Sequence, residues 1–343
     1  MELPSGQVVR AVIQRYSRLI SRLEEELGER PMVLPNGNFF PDRFRGDQKS
    51  VQKLVARMQE HAGIGDIPIR VSVVSQEDAS AGDAGVSSCG SGGCAVPTIA
   101  AHGLQRLVDE GDGWRLQLLE AELRHPVVLS TNIARSLAYV FLVETKEEHE
   151  VIEPPVDITA DMTAVALGLG SLLLQGSYIY AKSCGGPSVA RVTKMSCPEL
   201  AIAFAAFVVR GDHSVREALK ELDVTQRELL GEAHLLFESN RHVITQLRTA
   251  PAKLAQGDFE LSEAKPWLSR MFGRRKELPD RDPLEALSAG AELEELENML
   301  TEMPPSSAAR RPSRSLRSAP DEDLKQLVAE AFGSAVPAPS NHT

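Results

Sequence analysis

Residues 157–181 read DITADMTAVALGLGSLLLQGSYIYA, and the fold turns on how this stretch is placed. From Met162 to Ala181 there is no formal charge, a length that suits a bilayer span and a buried core helix equally well. Thr163, Ser171, Gln175 and Ser177, together with Gly168, Gly170 and Gly176, lower its apolar content below that of a single-pass anchor. The expectation is therefore a core helix from Thr159 to Ala181. A second apolar run, TNIARSLAYVFLVE at 131–144, precedes it across a polar linker and predicts a helix from Ser130 to Val143. Further helices are expected over Cys197–Arg210, Ser214–Leu222, Thr225–Ser239 and Asp258–Phe272, so residues 126–275 read as a mainly helical part of the same domain or of a second one.

Upstream the pattern is mixed. Val8 to Leu27 has apolar residues at helical spacing, and Asp47 to His61 predicts a second helix with Asp47 as N-cap and Val51, Leu54, Val55 and Met58 inward. Ile67, Ile69, Val71 and Val73 alternate with Pro68, Arg70 and Ser72, as Trp114, Leu116 and Leu118 alternate later, which is strand periodicity. Between them, residues 76–97 are rich in Gly, Ser and Ala without period and read as a flexible loop. Residues 1–125 thus form an α+β part with a small sheet, and the fold class is α+β.

Residues 279–343 hold eight of the 21 prolines and almost no aromatics, so a largely disordered tail is expected. Its charge is blocked, acidic over 282–302 and basic over 303–320. Leu324, Leu327, Val328 and Phe332 repeat at helical spacing behind Asp321, Glu322 and Asp323. A helix this short orders in a partner's groove or back on its own body, and these four are the expected protein-partner contacts. The plain alternative is a solvated tail.

The chain has 343 residues, 37 Lys and Arg against 48 Asp and Glu, and a formal charge of −11. An acidic balance argues against a general nucleic-acid or anionic-membrane binder. Ser214–Glu238 has a helix-turn-helix rhythm, yet Glu228, Glu232 and Glu238 would face phosphates badly, and two packed body helices explain it better. Met1–Gly6 leads straight into an amphipathic pattern with no apolar h-region, and four cysteines are too few for a disulfide scaffold. The cytoplasm is the expected compartment.

The helix TNIARSLAYVFLVE, the polar linker, and Asp157 to Asp161 opening MTAVALGLG resemble uncharacterised bacterial proteins whose equivalent segments look like zinc metallopeptidases. FFPDRFRGD, HPVVLSTNIARSLAYVFLVET and YIYAKSCGGPS also look like a family of uncharacterised bacterial proteins, over most of residues 30–275. On the metallopeptidase resemblance the H-E-x-x-H positions are occupied by Arg135, Ser136, Leu137, Ala138 and Tyr139, none a zinc ligand or general base. Asp157 and Asp161 stand where an E-x-x-x-D would be. The resemblance implies a degenerate, non-hydrolytic relative. Read without it, Asp157 and Asp161 are carboxylates at a helix start, serving free N–H groups and the macrodipole.

Cys89, Cys94, Cys184 and Cys197 are the candidate zinc ligands, although twelve residues separate the second pair where structural zinc has tight knuckles. Cys89 and Cys94 could instead close a reversible disulfide, and cysteines without special chemistry are the plain reading. No cofactor beyond zinc is implied, and no His pair has ligand spacing. The expected function is a non-catalytic interaction or regulatory protein acting through its tail. The competing class is a metal- or thiol-dependent enzyme, a hydrolase or redox protein, using Asp157 and Asp161 or the Cys89/Cys94 pair.

Overall fold

The computed structural model describes residues 2–75, 106–183 and 186–262, all within the unit Met1–Gly273. The N-terminal repeat forms α1 (Gly6–Arg22), followed by the single turn α2 (Glu24–Leu27). Val9, Val12, Ile13, Tyr16, Leu19 and Ile20 share its buried face. Next comes α3 (Gln48–Ala62), capped by Asp47 as expected: Ser50 N–H donates to Asp47 Oδ1 at 2.7 Å, and Asp47 N–H donates to Ser50 Oγ at 3.2 Å. Hydrogen bonding from the Ser50 backbone N–H, helped by its side chain, holds the Asp47 carboxyl below its usual range.

The sheet comprises β1 (Ile69–Val74), β2 (Leu107–Asp109) and β3 (Trp114–Leu119), in the order β1-β3-β2. β1 runs parallel to β3 with Ile69 opposite Trp114, and β2 is antiparallel to β3. The free edge of β1 does not stay open. Gln52 of α3 accepts from Val71 N–H and donates to Ile69 O, both at 2.9 Å, and Gln48 donates to Val71 O at 2.7 Å. Two glutamines one helical turn apart thus stand in for a neighbouring strand.

After the 3₁₀ turn Glu120–Arg124, helix α4 (Pro126–Glu144) begins four residues before the expected Ser130, because Pro126 suits a first helical position. The decisive stretch is not one helix to Ala181. α5 (Val156–Ala164) passes through a π turn (Val165–Leu169) into α6 (Gly170–Gly176) and stops. Gly168 has φ +87°, its carbonyl accepts from Val33 N–H at 2.9 Å, and a Cβ there would come within 2.1 Å of Pro31 O. The 30–34 segment therefore lies directly on the helix, and only glycine permits both the backbone angle and the approach. At Gly170 and Gly176, whose backbone angles are ordinary, the missing Cβ makes room for Phe204 and Thr131. Beyond Gly176, Ile179–Ala181 belong to β4 (Ile179–Ser183), paired with β5 (Gly186–Ala190) so that Tyr180 faces Val189. Aromatic and β-branched residues in so short a run fit a strand better than another helical turn.

α7 (Cys197–Arg210), opened by a Ser196–Glu199 capping box, is buried on nearly every side. Around it follow α8 (Val215–Lys220), α9 (Val224–Ser239), α10 (Arg241–Thr249) and α11 (Pro251–Ala255). α9 packs on α7, and α11 on α1. The segment 258–262 is not the expected start of a helix. Arg10 donates to Phe259 O, His242 contacts Glu260 O at 3.0 Å, and Asn240 exchanges bonds of 2.8 and 3.0 Å with Ser262, so side chains take the backbone groups that a helical turn would use. By length and composition α4 and Val156–Gly176 could each cross a membrane, but 72% and 83% of their apolar windows are buried inside this fold. The architecture is α+β, with a helical body packed beside a small sheet.

Candidate functional site

Arg135 projects from the middle of α4 and is 2% exposed. Each nitrogen of its guanidinium has an acceptor: Nε donates to Asp161 Oδ1 at 2.5 Å, Nη2 to Asp157 Oδ1 at 2.9 Å and Nη1 to Val192 O at 3.1 Å. The other Asp161 oxygen accepts from the Lys194 and Met195 N–H groups at 2.6 and 2.8 Å. Burial pushes the Asp161 carboxyl up, against the pull of the guanidinium and the two amides. Both of its oxygens act only as acceptors, which is the arrangement of a carboxylate ion. The group joins α4, α5 and the segment that enters α7.

Three of the four degenerate-site positions thus meet at one point. Tyr139 does not join them. It is half-buried and edge-on to Trp114, with centroids 6.3 Å apart, and Trp114 Nε1 donates to Glu144 at 2.6 Å. The helix-start reading needs correcting for Asp161: it lies a turn inside α5, is fully buried, and serves the N–H groups ahead of a different helix. Asp157 lies in the first turn of α5 and is 49% exposed, with Arg135 as its partner. A zinc ion does not fit this place, because the donor set has no imidazole or thiolate and a guanidinium already sits between the two carboxylates.

Among the described residues no cluster of three or more His, Cys, Asp or Glu could hold a metal. Cys197 is buried at the start of α7, and burial pushes its thiol up, away from the thiolate form, against a smaller opposing influence of Ser177. Cys89, Cys94 and Cys184 lie outside the described residues, as do Leu324, Leu327, Val328 and Phe332. The chain matches no protein-family model, no curated protein and no solved structure.

A second buried carboxylate escaped the sequence reading. Glu122, fully buried in the 3₁₀ turn, accepts from Arg106 at 2.6 Å, from Asn132 of α4 at 2.7 Å and from Leu119 N–H at 2.9 Å. Nothing local separates it from Glu120, two residues earlier, which is 67% exposed.

Among the described residues, clefts flank the helical body, and two of them are the larger. One, of about 680 Å³, lies between Gly28–Pro31 and the Phe207–His213 turn. Its polar groups are largely engaged within the fold: Arg248 donates to Val209 O and Asp212, and His213 stacks on Phe207 at 4.9 Å, where burial pushes its ring pKa down. The other, of about 410 Å³, lies where the Pro35–Phe44 segment, α3, the start of α4 and α6 converge.

Proposed function

We propose that this chain is a non-catalytic binding protein of the cytoplasm, a metallopeptidase-like layout in which a guanidinium occupies the place of the metal. The observation that supports it is the saturation of Arg135 by Asp161, Asp157 and Val192 O. Asp161, fixed by a cation and two amides and fully buried, is held as an acceptor out of reach of a water molecule. The network instead locks α4 against α5 and α7, giving a rigid body that presents a binding surface. Its protein partner is assigned to the amphipathic positions Leu324, Leu327, Val328 and Phe332.

Elemental analysis of the purified full chain tests this reading. The expected result is less than stoichiometric zinc, unchanged in Asp157→Asn. One zinc per chain that disappears in Asp157→Asn or in Cys89→Ser would return the protein to the metalloenzyme or thiol class. Comparison of the full chain with a chain ending at residue 278 tests the partner segment, since only the former should retain the protein partner.

A further inference from the structure

The cleft of about 410 Å³ has two chemically different halves. Phe40, Leu54, Val127, Leu129 and Leu172 supply an apolar floor, and Arg43, Lys53 and Arg57, with the single carboxylate Asp42 among them, supply a mainly cationic side. An adjoining hollow of about 330 Å³ shares Asp42, Arg43 and Lys53 and adds Arg45, Asp47 and Lys49, so its cations outnumber its carboxylates. Along α3, Lys49, Lys53 and Arg57 stand at i, i+4 and i+8, one above the next on a single helical face, where like charges repel. Arg57 is answered by Asp42 at 3.2 Å and Glu60 at 2.9 Å. Arg45 lies close enough to Asp47 to act on its carboxyl. Among the described residues Arg43, Lys49 and Lys53 have no ion-pair partner. The overall charge is −11, so this cationic wall is a local reversal of the protein's own field.

We propose that this cleft binds a free, small amphiphilic anion, its apolar chain on the Leu54, Val127 and Leu172 floor and its carboxylate or phosphate head between Arg43 and Lys53. The volume is within the range of small-molecule sites, which are apolar with a few polar groups fixing orientation. Phe44 at the rim is 38% exposed while the floor residues are half-buried or buried, which describes a half-open slot rather than a broad apolar face for a bilayer. An anionic head relieves the repulsion along α3, and burying the chain adds the apolar term. The assignment is independent of the Arg135 reading and can fail without it.

Calorimetric titration of the full chain with dodecanoate and dodecyl phosphate, each below its micellar range, is the test. One ligand per chain is expected, the tighter of the two identifying the head group. Acetate, which lacks the chain, and dodecyltrimethylammonium, which reverses the head, should each bind at least about tenfold more weakly. Lys53→Gln should weaken dodecanoate binding by about tenfold, and Val127→Trp, which fills the floor, should abolish it. Lys53 is a surface position, so its variant keeps the test decisive if Val127→Trp melts early. Equal binding of the cationic amphiphile, or dodecanoate binding untouched by Lys53→Gln, would overturn the proposal. So would sedimentation with phosphatidylglycerol vesicles, or capture of an acidic helical peptide, without dodecanoate binding.

Discussion

Arg135 in α4 and Lys53 in α3 are both cations on long helices, and they live under opposite terms. Every nitrogen of Arg135 has an acceptor, and both oxygens of its partner Asp161 are occupied. Lys53 has no ion-pair partner among the described residues and stands one turn from two further cations. Removing a charge from water is expensive, so an interior cation survives only when fully paired. At the surface water solvates the charge and no such pressure acts. Complete pairing is therefore what architecture demands, whereas Lys49 and Lys53, neighbouring cations with no ion pair among the described residues and beside an apolar slot, point to something that arrives from outside.

The largest effect is expected from Asp161→Asn. It leaves the Arg135 cation buried without its main counter-charge, and a loss of about 3–5 kcal/mol is expected, measured by urea unfolding. Replacing both partners, Arg135→Met with Asp161→Leu, should recover most of that loss, since a matched apolar pair leaves no charge stranded. A single variant within 1 kcal/mol of the parent, by about the scatter of surface substitutions, would show that the pair does not organise the helices. Glu122→Gln comes next. Arg106 is 12% exposed and can turn toward water, so the expected loss is about 1–3 kcal/mol by the same measurement. Asp157→Asn is smaller again, under about 1 kcal/mol, because the carboxylate is 49% exposed and Arg135 keeps Asp161.

What could be read beforehand follows from range. The apolar period of α1 and the Asp47 cap of α3 are local signals, as is the alternation at Trp114, Leu116 and Leu118. Those elements were legible. β2 spans three residues, and Ile179–Ala181 offers too few positions to tell a strand from the last turn of a helix. The break at Gly168 depends on Pro31, more than 130 residues away in the chain, so glycine content alone could not place it. Arg135, Asp157 and Asp161 were singled out together only through their positions in a metallopeptidase-like frame, which also included Tyr139. The same frame could not see that Asp161 answers the Lys194 and Met195 amides. Glu122 and the edge-covering Gln48 and Gln52 looked like ordinary polar residues, because what distinguishes them is a partner from another element.

The smallest effect separates the two halves of the comparison most cleanly. In the ligand-free protein Lys53→Gln removes a cation that lies one turn from both Lys49 and Arg57, so it relieves repulsion and breaks no ion pair seen among the described residues. The melting temperature should stay within about 1 °C of the parent or rise slightly, and any gain should shrink as salt screens the stripe. The same substitution should remove the stabilisation that saturating dodecanoate gives the parent, which follows from linkage between binding and folding. A marked fall in melting temperature for the ligand-free variant would place Lys53 with Arg135, as a structural cation. Neutral stability combined with lost ligand stabilisation is the signature of a charge retained at a cost to the fold for the sake of binding.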